Sequence, residues 1–121
     1  MLCQCSLGPS SSEKAEAGLI TRAIDVLRDA PNAQKGELLD ALKSVSCGAP
    51  ELCELQRLCV DGYGQHVAAL SETERAKGLL ASNPAEANRA LDYARSELAE
   101  AAPKIARCAD AEGSARRKYK P

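Results

Sequence analysis

Six cysteines and one histidine are the residues of this chain best equipped for chemistry, and their spacing decides which chemistry. Thiolates and imidazoles hold soft metal ions, act as nucleophile and base, or, for oxidised cysteines, cross-link the chain. Cys53 and Cys59 lie six residues apart, and Cys59 and His66 seven. On a helix seven residues rise about 10 Å, too far for two ligands of one ion or for a thiolate–imidazole dyad. Cys3 and Cys5 could hold a soft ion only with ligands from elsewhere. The chain contains no CxxC knuckle, HExxH pair, CxxCH haem attachment, P-loop or GxSxG elbow. No metal, cofactor or catalytic residue is therefore assigned, and the chain is read as a non-enzyme.

Cross-linking remains. Cys59 and Cys108 fall on two long predicted helices joined by the Asn83-Pro84 break. In an antiparallel pairing about that break, position n faces roughly position 167 − n, which sets Cys59 opposite Cys108. The same register sets His66 against Ala101, Thr73 against Ala94 and Leu80 against Ala87. A heptad step on one helix thus meets a heptad of small residues on the other. We expect Cys59–Cys108 as a clip between helices and Cys47–Cys53 as a local clamp. The competing partition joins Cys53 to Cys108 and Cys47 to Cys59, and buried free thiols are the third reading. The long clip would close a loop of about fifty residues, worth about 4 kcal/mol on the chain-entropy model.

Composition places these helices. A chain of 121 residues suits one small domain. Phe and Trp are absent, and the aromatic residues are Tyr63, Tyr93 and Tyr119. A core built from Ala and Leu buries modest area per residue, so its helices must approach closely, and covalent staples help. Formal net charge is −1, with both signs interspersed, which steers towards neither nucleic acid nor anionic membrane. No stretch is long and apolar enough to span a bilayer. Cysteine-dense small chains belong to oxidising compartments, so a periplasmic or extracellular setting is expected. No intact signal peptide is legible in residues 1–12. Met1-Leu2-Cys3-Gln4-Cys5 before a Ser/Gly/Pro stretch has the look of a lipid-bearing cysteine on a tether. Against that, Gln4 stands before Cys5 where a lipobox carries a small residue.

Residues 1–11 read as the tether, 12–113 as the helical domain and 114–121 as a frayed basic tail. Ser10 with Glu13 forms a capping-box pattern ahead of a stripe of Leu19, Ile20, Ala23, Ile24 and Leu27, which stops before Pro31. Asn32 is placed to cap a short helix carrying Leu38, Leu39, Leu42 and Val45, broken at Gly48. A third helix begins at Pro50 and runs to about Ala81 or restarts at Ser71. Asn83-Pro84 with Glu86 opens a fourth, striped by Leu91, Leu98 and Ile105 with Ala87, Ala94 and Ala101 flanking. Pro103 should kink it and Gly113 should end it. The expectation is an all-α, up-down four-helix bundle: two shorter N-terminal helices, then a long disulfide-clipped antiparallel hairpin.

Within the third helix, Asp61-Gly62-Tyr63-Gly64-Gln65-His66 stands out, because each helical glycine costs about 1 kcal/mol relative to Ala. Either packing notches or room for a ligand would explain both glycines. His66 sits one turn from Glu97 in the register, and that pair would hold the imidazole protonated to higher pH. Asp61, Gly62, Tyr63, Gly64, His66 and Glu97 are therefore the candidate binding patch. A groove beside the short helix pair is the other candidate. In broad composition these Ala-rich, cysteine-stapled helices are similar to small bacterial exported proteins. The leading reading is an exported, non-enzymatic binding or adaptor module whose partner is another protein. The alternatives are a cytosolic thiol- or metal-responsive protein and a self-associating structural protein that forms a homodimer.

Overall fold

The computed structural model describes residues 8–121, which form four helices and no strand. Cys3, Cys5 and the proposed lipid attachment lie outside the described residues. Helix α1 spans Ser11–Asp29, α2 Asn32–Lys43, α3 Pro50–Leu79 and α4 Pro84–Tyr119. The architecture is a helical bundle dominated by the α3–α4 hairpin.

The hairpin is built on small residues. Ala87, Ala94, Ala101, Cys108 and Ala115 repeat every seven residues along α4, and all are buried. Leu55, Gly62, Ala69 and Ala76 do the same along α3. Strict seven-residue repeats on two antiparallel helices keep one seam in register, and small side chains there let the backbones close up. The Cα atoms of Cys59 and Cys108 are 4.8 Å apart. A Cβ added to Gly62 would stand 3.0 Å from the Ile105 amide nitrogen and 3.1 Å from the Lys104 carbonyl carbon. The alanines thus form the seam itself. Leu91, Leu98 and Ile105, expected at its centre, are half-buried on its flank. Leu80, expected against Ala87, ends α3 instead and is 53% exposed.

Helices α1 and α2 cover only part of this hairpin. At 1.5 Å per residue α3 and α4 are about 45 and 54 Å long, against about 28 and 18 Å for α1 and α2. Ala17, Ile20, Ile24 and Leu27 from α1 and Leu39 and Leu42 from α2 meet Leu52, Leu55, Tyr63, Ala115 and Tyr119 at the open end of the hairpin. Leu19, expected on the buried stripe of α1, is 55% exposed, because the stripe is centred on Ile20 and Ile24. The capping box forms: the Glu13 amide donates to Ser10 Oγ at 3.1 Å, and the Ser10 amide to Glu13 Oε1 at 2.8 Å. At the other end of α1, Lys35 donates from Nζ to the carbonyls of Leu27 and Arg28 at 2.9 and 2.8 Å. That lysine is 7% exposed and satisfies the carbonyls a helix end leaves free.

Several boundaries differ from the sequence expectation. Asn32 is the first residue of α2 rather than its cap, and no side chain caps that end. Helix α3 is continuous past Ser71. Helix α4 continues through Pro103, where Pro103 and Ala99 both face solvent, so water can serve the carbonyl left without a donor. It also passes Gly113 and takes in most of the expected tail. Ala115 and Tyr119 are buried; Tyr119 Oη donates to Glu51 Oε2 at 3.0 Å, and Lys118 Nζ reaches the same carboxylate at 2.5 Å. Those contacts outweigh the cost of about 1 kcal/mol for one helical glycine.

Gly62 and Gly64 should respond oppositely to alanine. Gly62→Ala forces two backbone segments apart and is expected to lower stability by about 1–2 kcal/mol. Gly64 has nothing within 4 Å of its Cβ position, so Gly64→Ala should raise stability by up to about 1 kcal/mol. Urea unfolding of both variants checks the pair, and equal effects would contradict the notch.

Candidate functional site

Four of the six cysteines are joined as Cys59–Cys108 and Cys47–Cys53. Cys59 and Cys108 are fully enclosed in the seam, whereas Cys47 and Cys53 are half-buried at the α2–α3 junction. That junction is tied twice more. The Glu16 carboxylate accepts from the Gly48 amide at 2.7 and 2.8 Å and from the Ala49 amide at 3.2 Å. Gln56 Nε2 donates to the carbonyls of Leu42 and Val45 at 2.9 and 2.6 Å. Disulfides persist where no reducing pool opens them, so two of them point to an oxidising, non-cytoplasmic location. Among the described helices none is long and apolar enough to cross a membrane.

The structure spreads the residues of the predicted patch over different surfaces. Gly62 is the seam notch, and Tyr63 is buried against the core formed with α1 and α2. Asp61 lies on the outer flank, 3.6 Å from Lys104. Gly64 and His66 are half-buried. Consecutive helical residues point about 100° apart, so a run of six cannot share one face. The expected His66–Glu97 pair does not form, because Gln65 Nε2 reaches Glu97 Oε1 at 3.3 Å. His66 is shifted down, not up: burial disfavours its charged form, and the Lys35 ammonium adds repulsion.

A charge cluster that the patch reading did not include joins α1 to the end of α4. Glu112, 4% exposed, accepts from Arg28 Nη1 at 3.0 Å and from Arg116 Nη2 at 3.1 Å. Asp25 pairs with Arg28 at 2.5 Å and also with Arg116. Burial holds the Glu112 carboxyl above its ordinary range, reinforced by the neighbouring Asp25. Burial also presses Asp25 upwards, but its bonds to Glu112 and Arg28 and the charge of Arg116 bring it below its ordinary value. Two carboxylates and two guanidiniums so arranged neutralise one another and tie α1 to α4. Asp25 with Arg28 and Glu112 with Arg116 are legible as helical i,i+3 and i,i+4 pairs. Their union across helices is not.

A surface groove lies where α2 begins. A groove of about 390 Å³ opens between Ala33 and Gly36 of α2 and Val67, Leu70, Glu74 and Lys77 of α3. Its floor continues the face of α3 whose Val67 packs against the core beside Gly36. On α4, Leu91 and Leu98 extend the heptad of Ile105 and Glu112, the stripe that meets the core and Arg28. Beyond Val67 the hairpin therefore presents half-buried Leu70, Leu91 and Leu98 on the side that α1 and α2 cover elsewhere. The opposite side carries Asp61–Lys104, Gln65–Glu97 and Arg75–Glu86 contacts across the helices, with Tyr93 exposed between Glu86 and Glu97. Such asymmetry in an exposed helix pair is what a contact surface requires.

Comparison with protein families, with curated proteins and with solved structures found no match. Function must be argued from this geometry.

The cross-links should differ in weight and His66 should set part of the pH response. Removing Cys59–Cys108, whose ends are 49 positions apart in sequence, is expected to cost about 4 kcal/mol. For Cys47–Cys53, separated by 6, the cost is about 2 kcal/mol. Denaturation of the two double-alanine variants tests the order. Because His66 is depressed when folded, the unfolded chain takes up the proton first. Its contribution is full above the unfolded value of 6.5 and is lost as pH falls through the folded one. An NMR titration of the imidazole should give a midpoint below 6.5, and His66→Gln should flatten stability between about pH 7 and pH 5.

Proposed function

We propose that this chain is a non-enzymatic binding module of an oxidising, extracytoplasmic setting, and that it binds through the uncovered apolar face of its hairpin. One observation carries the reading: the face that α1 and α2 bury at one end of the hairpin continues uncovered at the other. Leu70, Leu91 and Leu98 line that continuation, and the groove beside Gly36 and Val67 opens onto it. Binding sites combine a concave apolar floor with a few polar groups at the rim, and here Glu74 and Lys77 supply the rim. A partner that lays an apolar helical stripe into the face would repeat what α1 and α2 already do.

The disulfides support the same reading. A protein whose contact surface is a projecting two-helix arm needs that arm held in one register without a large core beneath it. Cys59–Cys108 does this at the root of the arm, leaving the distal half free for contact. The early patch is replaced in this reading. Gly62 and Tyr63 serve packing, Asp61 and Glu97 lie on the polar flank, and His66 faces Lys35.

An environment-sensitive dye probes the face directly. Anilinonaphthalene sulfonate should fluoresce with dilute, oxidised protein, and Leu70→Glu with Leu98→Glu should abolish the signal. Leu19→Glu, which removes an exposed leucine elsewhere on α1, should leave it intact. Dye binding that survives the double change, or none to the unaltered chain, would count against this surface.

A further inference from the structure

We infer that the uncovered face of the hairpin is occupied by the same face of a second copy of this chain, the two hairpins packing antiparallel as a four-helix unit. This rests on the surface reading above and names its partner. At the open end of the hairpin the apolar side is covered by two helices, α1 and α2, and the resulting core holds the large buried side chains. Beyond the first turn of α2, which borders the groove at Val67 and Leu70, no second helix of the described residues lies over this side of α3 as far as Leu79 or of α4 from Pro84 to Leu98. Completing it needs two helices of matching length joined at one end. The distal half of another copy is such a pair.

Symmetry and charge fit that occupant. A two-fold axis across the helices lays α3 on α3 and α4 on α4 with directions reversed. The α3 rim of the face carries Glu74 and Lys77, adjacent in space at 3.2 Å. Reversing one strip against another sets each Glu74 near the opposing Lys77, so the rim is complementary to itself. The tip benefits as well. Leu80, 53% exposed, would be carried towards the first turn of the other copy's α2, beside Ala33, where the groove opens. The polar flank, with Asp61–Lys104 and Arg75–Glu86, offers no such continuity.

Size sets the expected strength. Two helices each about 10 Å wide over about 20 Å of length give roughly 400 Å² of projected face per copy, in the class of weak, transient interfaces. Association should therefore appear in the micromolar range and be reversible on dilution.

Sedimentation equilibrium of the oxidised chain, from low micromolar to several hundred micromolar, tests this. The expected result is a mass that rises from one chain to two, with Leu91→Glu plus Leu98→Glu remaining at one. Leu19→Glu should still associate. Surface charge swaps keep the test valid even if the leucine variants fold poorly. Glu74→Lys alone and Lys77→Glu alone should each weaken association at least threefold, whereas an equimolar mixture of the two should recover it, because each then meets its complement. A mass that stays at one chain throughout would overturn the second-copy assignment, as would association indifferent to these changes. If that same single chain binds the dye at Leu70 and Leu98, the surface reading stands and only its occupant is wrong. Absence of both dye binding and association would remove the two together.

Discussion

The close approach of α3 and α4 is the constraint on which the rest of the molecule depends. With neither Phe nor Trp, the chain has no large rings to bridge a gap between helices. Dispersion contacts must come instead from backbones drawn together, and these fade within an ångström of extra separation. Gly62 shows how tight the seam is, since its α-carbon side meets the Ile105 and Lys104 backbone. The repeat of Ala87, Ala94 and Ala101 makes the same approach available along the rest of α4. Cys59–Cys108 then holds the register that small residues alone specify weakly, since a step of one heptad would match alanine to alanine again.

Once the hairpin exists, α1 and α2 have a defined place. Their leucines and isoleucines find the larger residues of α3 and α4 only near the open end, so the aliphatic core gathers there. The polar ties follow the same geography. Lys35 closes the end of α1, Glu16 and Gln56 secure the α2–α3 junction, and the Glu112 cluster joins α1 to α4. Buried charge of this kind adds little net stability when fully paired, yet breaking one partner leaves an uncompensated charge. A displaced α1 would leave the buried Glu112 carboxylate without Arg28. At the other end, no helix of the described residues packs over Leu91 and Leu98 of α4.

Much of this was legible from residue types and spacing, because it depends on local chemistry. The all-helical class follows from Ala and Leu content and from breaks at Pro31, Gly48 and Asn83-Pro84. The α1 capping box is a contact between residues three apart, so its pattern suffices. Even the meeting of Cys59 with Cys108 reduces to two straight helices folded back about a known turn. Expectations failed where a local signal met a tertiary contact. Gly113 reads as a helix stop, but Tyr119 and Lys118 find Glu51, 68 and 67 residues away, and the helix continues. Glu97 reads as a partner for His66, but packing rotates Gln65 towards it instead.

The sequence by itself thus determined the helices, their order, the hairpin register and the oxidising character of the chain, since each rests on neighbours or on a single fold-back. Tertiary structure alone decided which residues share a surface. Six consecutive residues around Gly62 look like one site on paper but are divided among seam, core and flank by a 100° turn per residue. The candidate face gathers Gly36, Val67, Leu70, Leu91 and Leu98 from three helices. Its existence depends on where α2 begins relative to α3, a mismatch of lengths in space that no spacing along the chain encodes.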